Sequence, residues 1–435
     1  MAFSGIDVDT VDGSRLDECG LVDAIRSLEE LKARASAAQA RLARELDAQV
    51  RDRHRSRGVP SAQRGRDVAG LVGFARRESP SRASRFLGLA RALVDLPHTE
   101  AAMRAGALSE WRAVLVARET ACLVPADRAR VDEQICARRT DGTFPFDGWG
   151  DRRLVAETMK QVADADPAAV VERRARAEAD RGVSLRPAPD VMARLSALLP
   201  AAQGVAVWAT LSRVADEARA AGDPRSRRQV MADTLVERIT GQATADGVRV
   251  AVHLVVSDET LLGGGTAPAW LHDFGTVSAE AADDLVRRAV ADARAALRRL
   301  YASPSTGALV AMDSVAREFP DGLATFLDLR DRTCRTAWCD APVRHHDHVV
   351  AHADGGSTSG VNGQGLCEQC NYVKEAPGWS ARPATGPPGA PHIVETRLPT
   401  GHVVATTAPA APPPSRHATL RLETRLADLI VEWAA

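Results

Sequence analysis

The sequence predicts a mostly helical protein with a smaller α+β segment and, near residue 350, a short ββα unit framed by cysteines. Three observations carry this. Apolar residues recur every three or four positions from Leu21 to Val50, and valines and leucines alternate with other residues from Val248 to Val256. Cys334, Cys339, Cys367 and Cys370 form two close pairs around a stretch that reads as strand, turn, strand and helix. At 435 residues the chain is too long for one ordinary core, and 45% apolar with 26% charged residues excludes wholesale disorder. The expected divisions are a flexible N-terminus (1–20), a helical region (21–180), an α+β segment (181–315), the cysteine-framed unit (316–380), a Pro/Gly-rich linker (381–417) and an amphipathic helix (418–435).

Residues 1–20 are acidic and polar and lack the apolar stretch of a secretory leader, and no apolar run approaches the ~20 residues of a membrane span. A cytoplasmic protein with no membrane partner is expected. The helix from Leu21 to His54 carries Leu21, Ile25, Leu28, Leu31, Ala35, Ala38, Leu42, Leu46 and Val50 on one stripe. Such a stripe suits packing or a seam between copies, so homo-oligomerisation through helix 21–54 is one expectation. Its basic end (Arg51, Arg53, His54, Arg55, Arg57) suits the helix dipole and is stopped by Gly58 and Pro60.

Short helices follow around Arg66–Arg77, Pro80–Val94 and Ser109–Ala121; Ser79 followed by Pro80 is a cap with a first-turn proline. The first two read as a plain helical hairpin or, with Ser81, Arg82, Ser84 and Arg85 on the second, as a helix-turn-helix in which Arg82 and Arg85 would meet DNA. Strands are expected at Gly182–Pro187 and Gly247–Ser257, with helices at Val191–Leu199, Gly204–Ala221 and Arg225–Thr240 between them. Gly263–Thr266 lacks the Lys-Ser/Thr of a phosphate cradle and reads as a turn; Ala279–Tyr301 reads as a helix. Pro412–Pro414 is a stiff spacer before a helix at Thr419–Trp433.

Net charge, −1, points to no nucleic-acid partner by itself, and the arginines are discounted because the chain has only three lysines (Lys32, Lys160, Lys374), a compositional bias. Cys19, Cys122 and Cys136 are scattered and read as incidental thiols. Cys334-x4-Cys339 and Cys367-x2-Cys370 differ: four thiolates in two pairs close a tetrahedral Zn²⁺ site of the structural kind. Such a site supplies about 10–16 kcal/mol, enough to fold a segment with little apolar core. Between the pairs lie His345, His346, Asp347, His348, His352, Asp354 and Asn362, with Asn371 and Lys374 just after.

Asp347-His348, Gly355-Gly356, Asn362, Leu366-Cys367, Cys370-Asn371 and Lys374 resemble the HNH nuclease motif of the ββα-metal fold. The longer chain is similar to the actinobacterial HNH endonuclease family, in which a large N-terminal region of unknown role precedes that module. SRASRFLGLARALVDLP, ALSEWRAVLVARET and the run from Met192 to Asp233 carry this wider likeness, over most of residues 20–380. The resemblance implies a metal-dependent DNA endonuclease. His348 would activate a water, Asp347 and Asn371 would hold one divalent ion, Asn362 would fix the loop and orient His348, and Lys374 would contact phosphate. Relatives often have His where Asn371 stands, so this is an HNN variant; an amide oxygen favours Mg²⁺ or Mn²⁺ over Zn²⁺ or Ni²⁺ at the catalytic position. Ala337-Trp338 replaces a frequent Pro-Gly and should reshape the first cysteine knuckle. The competing expectations are a zinc-stabilised DNA-binding or regulatory protein without hydrolysis, and a scaffold joined through helix 21–54.

Overall fold

A computed structural model describes residues 12–188, 192–242, 244, 253–257, 260–261, 265–272, 274–291, 313–314, 318–384 and 390–410. Ten helices precede the first small sheet of the α+β segment apart from one hairpin: α1 (Glu18–Ser56), α2 (Val68–Arg76), α3 (Pro80–Ala92), α4 (Pro97–Arg104), α5 (Glu110–Glu119), α6 (Pro125–Cys136), α7 (Asp151–Ala165), α8 (Pro167–Ala179), then α9 (Ala201–Ala220) and α10 (Arg227–Thr240) after the hairpin. Local chemistry starts many of them. Asp17, Ser79, Ser109 and Asp166 each accept a backbone N–H as N-cap, and Ser226 with Gln229 closes a capping box. Helix α4 is capped from elsewhere: buried Asp132 on α6 accepts from the backbone N–H groups of His98 and Thr99 and from the Thr99 hydroxyl.

The main core joins α1–α7, with Phe86, Leu93, Leu96, Met103, Leu108, Phe146 and Leu154 among its members. Helix α1 buries Ala33, Ala37, Ala40, Ala43, Asp47, Val50 and His54; of the stripe expected from the sequence, Val50 is in the main core and Leu46 packs against it, while its N-terminal leucines do not. Leu21, Ile25, Leu31 and Leu42 face solvent, Leu42 at 69% exposure. Small alanines let α3 and α4 approach closely, and that close packing fixes the buried face more than side-chain hydrophobicity does. Buried Asp47 is satisfied by Arg91 and Arg51.

The helix expected at Val191–Leu199 is corrected: Met192–Leu198 is strand β2, paired antiparallel with β1 (Gly182–Ala188). Met, Ala, Arg and Leu are good helix formers, but cross-strand pairing overrides propensity here. Val183 opposite Ala197 and Leu185 opposite Leu195 share one face. Of the second expected strand, only β3 (Leu254–Val255) is described; it joins β4 (Ala269–Leu271) and β5 (Gly275–Val277), covered by α11 (Ala279–Ala291). Residues 247–252 of that strand, the end of the helix proposed to Tyr301, Gly263 and Gly264 of the expected turn, and the elements at Pro412–Pro414 and Thr419–Trp433 lie outside the described residues.

Past β6 (Asp313–Ser314), helix α12 (Asp321–Asp331) leads to β7 (His345–His348), β8 (Thr358–Ser359), β9 (Gly363–Leu366) and α13 (Glu368–Lys374). β7 pairs antiparallel with β9, and β8 with β6. The segment expected to be a linker is corrected over its described part. β10 (Ser380–Pro383), β11 (Ile393–Arg397) and β12 (Val403–Thr407) form an antiparallel sheet, despite the prolines around them. Pro383 closes the edge strand, where a missing N–H is tolerated. Leu398, in the turn of that sheet, is buried in the main helical core, and Trp379 packs against it. Among the described residues no helix is long and apolar enough to cross a membrane.

Candidate metal centre and adjoining polar site

The sulfurs of Cys334, Cys339, Cys367 and Cys370 all lie within 4.8 Å of one another, and each residue is buried. Cys339 and Cys367 Sγ are 3.8 Å apart, which matches the ~3.8 Å edge of a tetrahedron with ~2.3 Å zinc–sulfur bonds. Backbone bonds shape the first knuckle: Cys334 N to Ala341 O, Cys339 N to Thr336 O and Arg335 N to Gly365 O. Trp338 sits there at φ +59°, the left-handed conformation that glycine adopts freely, and its ring meets Phe74 edge-on at 5.1 Å. In the second knuckle Cys367 is the N-cap of α13, its sulfur accepting from Cys370 N. Hydrogen bonds from Cys334, Cys339 and Cys370 hold the Cys367 thiol well below its ordinary pKa, whereas the Cys370 thiol is pushed up, chiefly by Cys334. Four sulfurs this close ionise together only with a cation among them, so the donor set fits a closed structural metal such as zinc.

A buried ionic frame, which sequence reasoning missed, ties this knot to α12. Asp331 takes two hydrogen bonds from Arg330 and one from Gly365 N, and Arg330 also donates to the carbonyls of Gly360 and Gly363. Arg335 continues it to the C-terminal sheet, donating to His392 O and Thr406 O. The run Arg330-Asp331-Arg332 before Cys334 was the available signal, but an exposed charge run looks the same in sequence.

The polar site lies on the β7–β9 pair. Asp347 faces Gln364 in register and His348 faces Gly363. A Cβ on Gly363 would come within 2.9 Å of Phe319, Leu327 and the Ser359 carbonyl, so glycine lets β9 close onto α12. Asn362, 6% exposed, spends its amide on the intervening loop: Oδ1 accepts from Val350 N, and Nδ2 donates to Val350 O and Ser357 O. Gly356 makes this possible, since a Cβ there would lie 1.9 Å from Val350 O. The ring of His348 is met by Thr358, with Nε2 and Oγ1 2.9 Å apart, and by Phe319 and His352 at 4.6 and 5.5 Å between ring centres. Asn362, expected to orient His348, bonds the 350–357 loop, and Thr358 is the residue that meets the ring. Thr358 was missed because nothing local marks it; β8 brings it to β7 only on folding.

Lys374, expected to contact phosphate, is placed against Asp347. Its Nζ lies 2.6 Å from Asp347 Oδ2 and 2.6 Å from His348 O. One turn earlier on α13, the side-chain oxygen of Asn371 is buried with no hydrogen-bond partner. An unpaired buried amide oxygen and a carboxylate held by a cation are oxygen donors of the kind that a hard divalent ion takes. His346 pairs with Asp328 on α12 at 2.7 Å, and His352 begins a 3-10 turn.

The cysteine knot also leans on the helical body. Gly70 on α2 receives Val373, Trp379 Nε1 donates to buried Asp67, and Gln369 on α13 bonds Ser84 on α3 at 3.0 Å. Arg82 and Arg85 are exposed on α3 beside Ser84 and make no ion pair among the described residues.

The helical body places the chain in one protein family. The pattern of DUF222, a domain of unknown function, matches residues 22–331, and the chain belongs to that family. The match stops at Asp331, the last residue of α12, so the cysteine knot and the polar site lie beyond it. No curated protein and no solved structure matches the chain.

Proposed function

We propose that the chain is a metal-dependent DNA endonuclease whose C-terminal unit is a zinc-stapled ββα-metal module of the HNN type. The observation that supports it most is that Asp347 and His348 share a hairpin strand tied through Lys374 to the helix that carries the unpaired Asn371 oxygen, beside four clustered cysteines. A divalent cation held by Asp347 and Asn371 would stabilise the charge developing on the leaving 3′ oxygen of a phosphodiester. His348, its ring set by Thr358 and Phe319, takes the proton of the attacking water. As that water's oxygen bonds to phosphorus, the P–O3′ bond breaks, and the 3′ oxygen regains a proton from solvent. Asn362 keeps the 350–357 loop from drifting away from His348.

The test is nicking of supercoiled plasmid and of single-stranded DNA by zinc-loaded protein with Mg²⁺ or Mn²⁺. Nicking should require the added ion and fall by at least ~10²-fold in Asp347→Asn. Nicking that survives both ion removal and Asp347→Asn rejects the reading. A second reading, a zinc-stapled DNA-binding or regulatory protein without hydrolysis, draws on Lys374 neutralising Asp347 and on the unpaired Arg82 and Arg85. DNA binding without cleavage under every ion would favour it.

A further inference from the structure

Asp347 already has a cation. Lys374 Nζ donates to its Oδ2 at 2.6 Å and to the adjacent His348 carbonyl at 2.6 Å, and a third carboxylate-rim oxygen, Glu375 Oε1, lies 3.3 Å away. Two of the ammonium protons therefore have an acceptor, and Glu375 adds negative charge beside them. The pair is largely shielded, with 12% of the Lys374 side chain and 20% of the Asp347 side chain exposed, whereas Glu375 is 62% exposed. A carboxylate this far from water needs a positive partner, and a divalent ion brought onto the same carboxylate would sit at short range from the ammonium and be repelled by its charge.

We propose that Lys374 is an internal counter-ion that holds Asp347 ready in the metal-free protein, and that a divalent cation binds by displacing its ammonium from the carboxylate. This rests on the reading of Asp347 as a metal ligand and adds to it an exchange step within the chain. Three observations carry it. The lysine takes a carboxylate oxygen and a carbonyl oxygen, the hard donors that Mg²⁺ or Mn²⁺ also prefers. The Asn371 amide oxygen on the same helix face, three residues back, has no partner while the lysine is in place, although a metal ion would use it. The flexible four-carbon stem lets the ammonium leave without moving α13, and Glu375 at the rim offers it a second carboxylate. Displacement leaves the charge balance of the site dependent on what arrives next, and an anionic phosphate is one group the freed ammonium can meet.

The test is Mn²⁺ affinity of the zinc-loaded full chain, by calorimetry, for the natural sequence and for Lys374→Met and Lys374→Gln. Removing a competing cation should tighten Mn²⁺ binding about tenfold in both variants. Equal or weaker binding in both overturns the exchange while leaving Asp347 as a metal ligand. No Mn²⁺ binding by any of the three overturns the metal-site reading itself. A second measurement needs no variant: with only three lysines in the chain, lysine side chains labelled with ¹³C give few signals. One of them should shift in step with Mg²⁺ saturation, and three unmoved signals at saturation contradict the proposal.

Discussion

Asn362 is a small residue with a large share of the site, because one buried amide closes a whole loop. In Asn362→Ala the Val350 N–H loses its acceptor and the Val350 and Ser357 carbonyls lose a donor. An unsatisfied buried group costs about 1–3 kcal/mol, so amide exchange over residues 350–357 should quicken markedly while zinc content stays unchanged. Unaltered exchange would mean the loop is held by something else. Trp338 is the opposite case, a bulky residue in a left-handed turn. Trp338→Gly relieves that backbone but surrenders the ring contact with Phe74. At this scale the cysteines, Asp347, His348 and Asn362 were legible because their spacing is local. Thr358 and Asp331 were not, since their partners lie on other elements and appear only when β8 and β9 return past β7 and α12.

Periodicity identified α1 and its C-terminal contacts Leu46 and Val50, but chose the wrong face for its first half. The leucines at positions 21, 31 and 42 are longer and more apolar than the alanines that are buried, yet close helix contact selects small residues. Hairpin β1–β2 shows the same limit from the other side, since a helix-forming composition was read where strand pairing decides. The seam between α2 and α13 carries a prediction of its own. A Cβ on Gly70 would lie 2.9 Å from Val373 Cγ1 and 3.5 Å from Trp379. Gly70→Leu should therefore wedge the seam open at roughly 1–3 kcal/mol. Limited proteolysis should then cut near residues 375–384 faster than in the natural chain, and an unchanged cleavage rate would contradict a packed seam.

The whole molecule couples a family domain of unknown function to a cysteine-framed end through shared packing, with Leu398 and Trp379 reaching back into the helical core. The C-terminal sheet was illegible because Pro- and Gly-rich sequence masked five-residue strands. It also gives the molecule an acid sensitivity. His392 donates to or accepts from no charged group directly; its Nε2 lies against the Val361 carbonyl, and burial, aided by Arg330, pushes its pKa down to about 4 from 6.5. Between those values the unfolded chain binds the proton and the folded chain does not, so stability falls as pH drops from about 6.5 towards 4, and this contribution levels off below. The loss is at most about 3 kcal/mol. Hydrogen exchange in β11 and β12 should rise across that window and lose its pH dependence in His392→Gln; a flat profile in the natural chain would contradict the burial.

Near-neutral net charge, which gave no hint of a nucleic-acid partner, becomes intelligible at this scale. Residues 317–379 hold nine acidic against six basic side chains, so the proposed site is acidic until a divalent ion loads it. The proposed reaction turns on His348 acting as the base beside that ion. The most direct measurement is the rate of plasmid nicking by His348→Ala beside the natural protein, at equal zinc content and saturating Mn²⁺. A loss of ~10²–10⁴-fold is expected; an unchanged rate in His348→Ala would contradict His348 as the base.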